Sequence, residues 1–134
     1  MFGCVEPATG RVIASIEDRG YTVTFFRFML KVVMAYPNQK VVMVVDNVKY
    51  HHAKRLKPIL KRYKHRIELV YLPAYSPDLN PIERIWWYMR KKITHNRYLL
   101  KMEDRLLLFQ NFISQFQTVN QLGKDLARLS VNLY

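Results

Sequence analysis

The sequence is short of cysteine, of acidic residues and of long apolar runs, and each shortage excludes a class of protein. The single cysteine, Cys4, excludes an intrachain disulfide and a cysteine-rich zinc cluster. No apolar run exceeds five residues, which excludes a membrane-spanning helix. The chain does not open on a basic stretch followed by an apolar one, so no signal peptide is expected. We therefore expect a cytoplasmic protein with no membrane partner.

The shortage of acidic residues leaves the chain strongly basic. Lys and Arg number 22 against 10 Asp and Glu, which gives a formal net charge of +12 over 134 residues. Two stretches contain no acid at all: residues 47–67 carry eight Lys or Arg, and residues 84–101 carry six. Such charge repels itself unless a polyanion neutralises it, so a nucleic acid is the first candidate partner.

Hydrophobic periodicity and turn residues predict one α/β domain with the order strand, strand, helix, strand, helix, strand, helix, helix. The run Val41–Val45 has the composition of a strand buried on both faces, with parallel pairing around it. Pro37 predicts the end of the first helix, and Asn80 with Pro81 predicts the start of the third. Gly123 is expected to break the last helical stretch before a short tail helix. The apolar stripe predicted for the first helix consists of Phe25, Phe26, Met29, Leu30 and Val33.

Two carboxylates are predicted to meet at the carboxyl edge of the sheet, where ligands of parallel sheets gather. Asp46 directly follows the buried strand, and the proline-rich loop 73–81 leads from the next strand to Glu83 in the first turn of a helix. Paired carboxylates are hard ligands suited to Mg²⁺ or Mn²⁺. Structural alternatives stay open: Asp46 and Asn47 as turn residues, and Glu83 as the partner of Asn80 in a capping box.

The basic residues around this pair of acids are candidates for binding DNA phosphates. A run of charge is also typical of a solvated surface, but a phosphate backbone would neutralise the two acid-free stretches. Trp87 lies off the apolar stripe and one turn after Glu83, where core packing is the expected role and a place facing the substrate is the alternative. The candidate DNA-binding residues are Asn47, Lys49, His51, Lys54, Lys57, Lys61, Arg84, Arg90, Lys91 and Lys92.

Several segments resemble the DDE transposases of the bacterial insertion-sequence branch of the mariner-like superfamily. Residues 41–47, VVMVVDN, with His51 shortly after, resemble the strand that carries the second catalytic aspartate. Residues 72–86, LPAYSPDLNPIERIW, resemble the third-acid segment nearly position for position. Residues 2–3 and 7–10 are similar to the family's second strand and the turn after it.

This resemblance implies a ribonuclease H-like, retroviral-integrase-like fold, in which helices flank a mixed sheet. Members of the family cut element ends and join them to target DNA with a divalent metal, here Mg²⁺ or Mn²⁺. Asp46 matches the second acid and Glu83 the third, so both are expected to be catalytic residues and metal ligands. The expected organisation is a truncated catalytic domain over residues 1–97 and a helical extension over residues 98–134 packed on it.

The family's first aspartate, which lies on a central strand, matches no residue of this chain. The acids before Asp46 all fall in predicted turns, and they are Glu6, Glu17 and Asp18. We therefore expect the C-terminal part of a transposase catalytic domain, without the first central strand. Its expected partners are DNA in the nucleoid and either further copies of the chain or a complementing N-terminal fragment. The alternatives are a non-catalytic basic DNA-binding remnant and an RNA-binding protein.

Overall fold

Short strands and helices alternate along the chain, as predicted for an α/β protein. The computed structural model describes residues 1–17, 20–46, 54–74, 76–94 and 101–128. The strands are β1 (Phe2–Glu6), β2 (Arg11–Ser15), β3 (Val41–Val45) and β4 (Ile67–Tyr71). The helices are α1 (Thr22–Ala35), α2 (Leu56–Arg62), α3 (Ile82–Met89), α4 (Met102–Ser114) and α5 (Gln121–Ala127). None of the helices in these ranges has the length and apolarity needed to cross a bilayer.

The described chain divides into two compact units, which are treated separately below. The first unit consists of residues 1–2 and 14–80, and the second consists of residues 3–13 and 81–134. Strands β1 and β2 form a two-stranded hairpin, as the turn residues 6–10 between two strand-like segments predict. Its turn closes where the N–H groups of Thr9 and Gly10 donate to the carbonyl of Glu6, at 3.2 and 2.8 Å. Gly10 has a φ of +75°, which glycine adopts without the steric cost that a Cβ brings.

In the first unit, helix α1 has side-chain hydrogen bonds at its start and a proline after its end. The Tyr21 N–H donates to Thr24 Oγ1, and the Thr24 hydroxyl donates to the Tyr21 carbonyl, both at 2.9 Å. The helix ends at Ala35, two residues before Pro37, so the predicted end is confirmed. The Arg66 guanidinium donates to the carbonyl of Val33 in the last turn of α1, and to the carbonyls of Tyr36 and Gln39, which follow the helix.

The buried face of α1 differs from the predicted stripe. The buried residues are Phe25, Phe28, Met29 and Val32. Leu30 is exposed and Phe26 and Val33 are half-buried, so the predicted stripe is wrong by about one residue in phase. The helix is apolar on most sides, and periodicity alone does not choose a face. The ring of Phe2 lies 5.7 Å from that of Phe28 and 5.9 Å from that of Phe25, and this tertiary contact favours the observed face.

Strands β3 and β4 are parallel, as predicted, with a register running from Val41 opposite Ile67 to Val45 opposite Tyr71. Burial alternates along β3: Met43 and Val45 are buried, whereas Val42 is 55% exposed and Val44 48% exposed. The prediction that β3 is buried on both faces is therefore wrong for the described part of the chain. The reason is that the described residues cover only one face of this two-stranded sheet.

In the second unit, helix α3 buries part of its apolar stripe, which periodicity predicts at Ile82, Ile85, Trp86, Met89 and Ile93. Ile82, Ile85 and Met89 are buried, and a π-helical turn over Arg90–Thr94 follows the helix. Pro81 occupies the capping position, one residue later than the predicted cap at Asn80. Helix α3 is packed against α4 by aromatic rings, with the Trp86 and Phe109 centroids 6.0 Å apart.

Gly123 does not break a helix, and that prediction is wrong. It is the third residue of α5, and its N–H donates to the side chain of Asn120 at 2.6 Å. A Cβ added at Gly123 would lie 2.0 Å from the carbonyl oxygen of Gly10. Asn120 also bonds the hairpin turn, through its N–H to the Thr9 carbonyl and its Nδ2 to the Gly10 carbonyl, both at 2.9 Å. Gly123 is therefore required by a tertiary contact between backbones, which local helix preference does not reveal.

Candidate active site and nucleic-acid interface

Asp46 lies at the carboxyl edge of the β3–β4 sheet, as the sequence predicts. It directly follows Val45, the last residue of β3, and it is half-buried. The N–H of Leu72 donates to the carbonyl of Val45 at 2.8 Å, so the two neighbouring segments stay hydrogen-bonded one residue beyond the end of β4. This pairing fixes the backbone immediately before Asp46. Tyr71 stands opposite Val45 in the register, and partial desolvation raises the pKa of its phenol.

The loop that leaves β4 leads to the second candidate acid. It contains a short 3₁₀ turn over Pro77–Leu79, in which the Leu79 N–H donates to the Ser76 carbonyl at 3.1 Å. Asp78 in this turn is exposed. Glu83 is the second residue of α3 and is half-buried, and it lies between the buried stripe residues Ile82 and Ile85 along the chain. Because the cap is Pro81, Glu83 is one position earlier in the helix than a capping box with Asn80 requires.

The two acids belong to different compact units, Asp46 to the first and Glu83 to the second. Their approach around one metal ion, with oxygens no more than roughly 4.2 Å apart, stays a prediction. Carboxylate oxygens are the donors that Mg²⁺ and Mn²⁺ prefer, so the chemistry of this pair fits such an ion. Within the ranges that the structure describes, no three His, Cys, Asp or Glu side chains cluster to hold a metal.

The predicted DNA-binding residues of the first unit lie on and just before α2. Lys54, Lys57 and Lys61 are exposed, and they recur at steps of three and four residues. Asn47, Lys49 and His51 lie outside the described residues. Not every cation of this acid-free stretch is available to a partner, since the Arg66 guanidinium is occupied by carbonyls at the end of α1.

The predicted DNA-binding residues of the second unit have mixed surroundings. Arg90, Lys91 and Lys92 are exposed on the π-helical turn. The Lys92 ammonium lies 5.5 Å from the centroid of the Tyr88 ring. Arg84 is half-buried, and its guanidinium donates to the carbonyl of Arg128 at the end of α5. Arg84 therefore has a structural contact, and its role in DNA binding stays a prediction.

Trp87 is not a core residue, and the expectation of core packing there is wrong. Its side chain is 50% exposed, whereas the neighbouring Trp86 is half-buried against Gly3 and Phe109. The Lys91 ammonium lies 4.0 Å from the centroid of the Trp87 ring, which is the geometry of a cation–π contact. The sequence carried a signal for this exposure, because position 87 lies off the apolar stripe of α3.

Comparison with known proteins identifies the class to which the chain belongs. The family of the DDE superfamily endonucleases matches residues 1–105. The match covers well over half of the 134 residues, and the chain belongs to this family. The resemblance to insertion-sequence transposases is therefore confirmed.

Two relatives are similar over part of their length. The 39 kDa protein of insertion element IS630 from Shigella sonnei is 25% identical over 112 residues, which are 83% of this chain and 32% of that protein. Protein y4pE/y4sA of Sinorhizobium fredii is 33% identical over 63 residues, which are 47% of this chain and 43% of that protein. The chain thus spans about a third of the first relative and about two-fifths of the second.

Proposed function

We propose that this chain is a transposase domain that takes part in metal-dependent cleavage and joining of DNA strands during transposition of an insertion sequence. The observation that carries the proposal is the position of Asp46 at the carboxyl end of a parallel strand, in a chain that belongs to the DDE superfamily endonucleases. The insertion element in the printed name of one relative supports the biological context. Expected partners are element ends and target DNA, in the bacterial nucleoid.

The proposed architecture is a ribonuclease H-like sheet, with the catalytic domain over residues 1–97 and a helical extension over residues 98–134. The aromatic contact between α3 and α4 supports the packing of the extension, since Phe109 lies beyond residue 97. The edge of β3 supports a further strand. The Val41 N–H bonds the Arg66 carbonyl, so alternation turns the backbone groups of Val42 and Val44 away from β4. No strand of the described residues pairs with that edge.

In this proposal Asp46 and Glu83 hold the catalytic divalent ion, Mg²⁺ or Mn²⁺. The chemistry that such an ion would supply at these carboxylates is activation of an attacking oxygen, from water or a DNA 3′-hydroxyl, and stabilisation of the leaving oxygen of the phosphodiester. The pairing of β3 with β4 orients Asp46, and the buried stripe of α3 orients Glu83. In the same proposal, the exposed cations of α2 and those of the π-helical turn bind DNA phosphates.

The second candidate is a basic DNA-binding module that does not cleave. It is favoured by the acids of the chain, because only Asp46 and Glu83 match the family's triad. Of the earlier acids that the structure describes, Glu6 lies at the end of β1 and Glu17 lies in the connection after β2. We propose that the first acid comes from outside these 134 residues, either from a complementing N-terminal fragment or from the corresponding segment of a longer polypeptide. A homo-oligomer is the alternative source of a completed site.

A cleavage assay separates the two candidates. The purified chain is expected to bind element-end DNA but neither nick it nor join strands in the presence of Mn²⁺. Addition of a fragment with a strand and a central aspartate is expected to restore cleavage, and Asp46→Ala is expected to abolish the restored activity. Robust cleavage by the 134-residue chain alone, lost in Asp46→Ala, would instead assign the first acid to Glu6, Glu17 or Asp18. Restored cleavage that survives Asp46→Ala would contradict the proposed site.

The DNA-binding surface is tested by the salt dependence of affinity. Each phosphate contact adds close to 0.9 to the slope of log K against log salt, so reversing Lys54, Lys57 and Lys61 to Glu is expected to flatten the slope by up to about 2.7. The matched control reverses Arg27, Lys40 and Arg128, which are exposed cations outside both acid-free stretches and whose ion pairs lie at the surface, where such pairs contribute little stability. Equal flattening in both triple variants would show that net charge, and not this helix, determines binding.

A further inference from the structure

One face of α3 and its π-helical turn combines an acid, an exposed indole and cations. Glu83, Trp87 and Lys91 recur at intervals of four residues, which places them along one side of the helix. The opposite side carries the buried stripe, so this side is directed outward. Tryptophan combines a large apolar ring with a polar N–H, and for this reason exposed tryptophans are enriched at binding surfaces.

A cation lies over the exposed Trp87 ring. The Lys91 ammonium is 4.0 Å from the ring centroid, over one face of the indole. Half of the Trp87 surface remains accessible with Lys91 in this position. The result is a flat aromatic surface with a cation beside it, and this arrangement matches a nucleotide, which has a flat base and a charged phosphate.

We propose that Trp87 stacks on an unpaired DNA base next to Glu83, while Lys91 and Arg90 bind the adjacent phosphates. This inference rests on the proposed function and adds a base-binding residue to it. The ligand is a single strand rather than a duplex, because a base exposes its flat face to an aromatic ring only when it is not stacked inside a helix. A strand cut or opened at the active site supplies such a base within one helical turn of Glu83.

The charge around Trp87 favours DNA over a second copy of this chain. Residues 84–101 contain six Lys or Arg and no acid, and the whole chain has a formal charge of +12. Two copies meeting through this face would bring like charges together, which is unfavourable, whereas a single strand of DNA brings one negative charge per nucleotide.

The test compares Trp87→Leu, Trp87→Tyr and the unmodified chain in binding to a short single strand of oligo-dT and to a duplex of the same length. Leu keeps much of the apolar volume and loses the ring, whereas Tyr keeps a ring that can stack. Leu107→Ala is the matched control, because Leu107 is 57% exposed on α4 and lies outside this face. Affinity is measured by fluorescence anisotropy over a salt series.

We expect Trp87→Leu to bind the single strand about tenfold more weakly, with an unchanged salt slope, because stacking does not release counterions. Trp87→Tyr and Leu107→Ala should stay within about threefold of the unmodified chain. Binding of the duplex should change little in all three. Equal single-strand affinity in Trp87→Leu and the unmodified chain overturns the inference, as does a Trp87→Leu effect seen only in sedimentation of the free protein. If the unmodified chain binds neither oligonucleotide, the proposed function fails with it.

Discussion

The two compact units differ in how closely their segments are packed. In the second unit, the backbone of the hairpin turn contacts the backbone of α5. The Gly10 carbonyl lies where a Cβ on Gly123 would be, and the Asn120 side chain hydrogen-bonds both Gly10 and Gly123. In the first unit, the β3–β4 sheet has one buried face and one exposed face with Val42 and Val44. Glu83 is therefore attached to a closely packed framework, whereas Asp46 follows a strand that is covered on one side. We infer that a substitution at the backbone contact of the second unit lowers the free energy of unfolding more than one in the sheet of the first unit.

The largest effect is expected from a methyl group at the glycine contact. Gly123→Ala places a Cβ 2.0 Å from the Gly10 oxygen, and the backbone atoms it meets can give way only if the turn moves. We expect a loss of about 4 kcal/mol in the free energy of unfolding, measured by urea denaturation. Gln121→Ala, at an exposed site in the same helix, is the control and should cost less than about 0.5 kcal/mol. Similar losses in both variants would refute the close contact.

The next largest effect is expected on the buried face of β3 in the first unit, compared with its exposed face. Met43→Ala on the buried face of β3 is expected to cost about 3 kcal/mol, because it leaves a cavity in the core. Val44→Ala on the exposed face should cost less than about 1 kcal/mol, because the methyl groups it removes lie largely in water. Comparable losses, measured by the same denaturation, would mean that the outer face is covered in solution.

The smallest effect concerns the hairpin thiol of the second unit. Burial raises the pKa of Cys4 from 9.0 to about 12. Below about pH 9 the thiol keeps its proton in both the folded and the unfolded chain. Above that pH the unfolded chain releases the proton and the folded chain retains it. The folded state therefore loses stability relative to the unfolded state as pH rises from 9 towards 12. The free energy of unfolding should therefore fall more between about pH 8 and about pH 10.5 in the unmodified chain than in Cys4→Ala. Equal falls would show that the thiol is solvated.

Periodicity and turn residues correctly predicted the features that depend on residues close together in the sequence. The stripe of α3, the parallel pairing of β3 and the positions of Asp46 and Glu83 at element ends follow from periodicity and turn residues. The buried face of α1 could not be predicted in this way, because contact with Phe2 selects one face of a helix that is apolar on most sides. The role of Gly123 also depends on a partner more than a hundred residues away in sequence.

The basic stretches were predicted as wholes, but their members differ. The guanidinium of Arg66 bonds carbonyls in and after the last turn of α1, and Arg84 bonds the end of α5, and neither contact is visible in a charge count. The exposure of Trp87 follows from its place off the stripe, yet the sequence favoured core packing because tryptophan is usually covered. The distance between the two acids depends on how distant segments pack, which local patterns do not specify.

The central claim is that Asp46 and Glu83 hold one divalent ion together, and a Mn²⁺ titration followed by electron paramagnetic resonance tests it directly. The unmodified chain is expected to bind one ion weakly, because two carboxylates fill only part of the octahedral coordination that such an ion prefers and leave the rest to water. Asp46→Ala and Glu83→Ala should each abolish this binding, and the double variant should lose nothing more. Asp78→Ala, which removes an exposed acid from the loop between them in sequence, should bind as the unmodified chain does. Undiminished Mn²⁺ binding in either Asp46→Ala or Glu83→Ala would contradict the shared site.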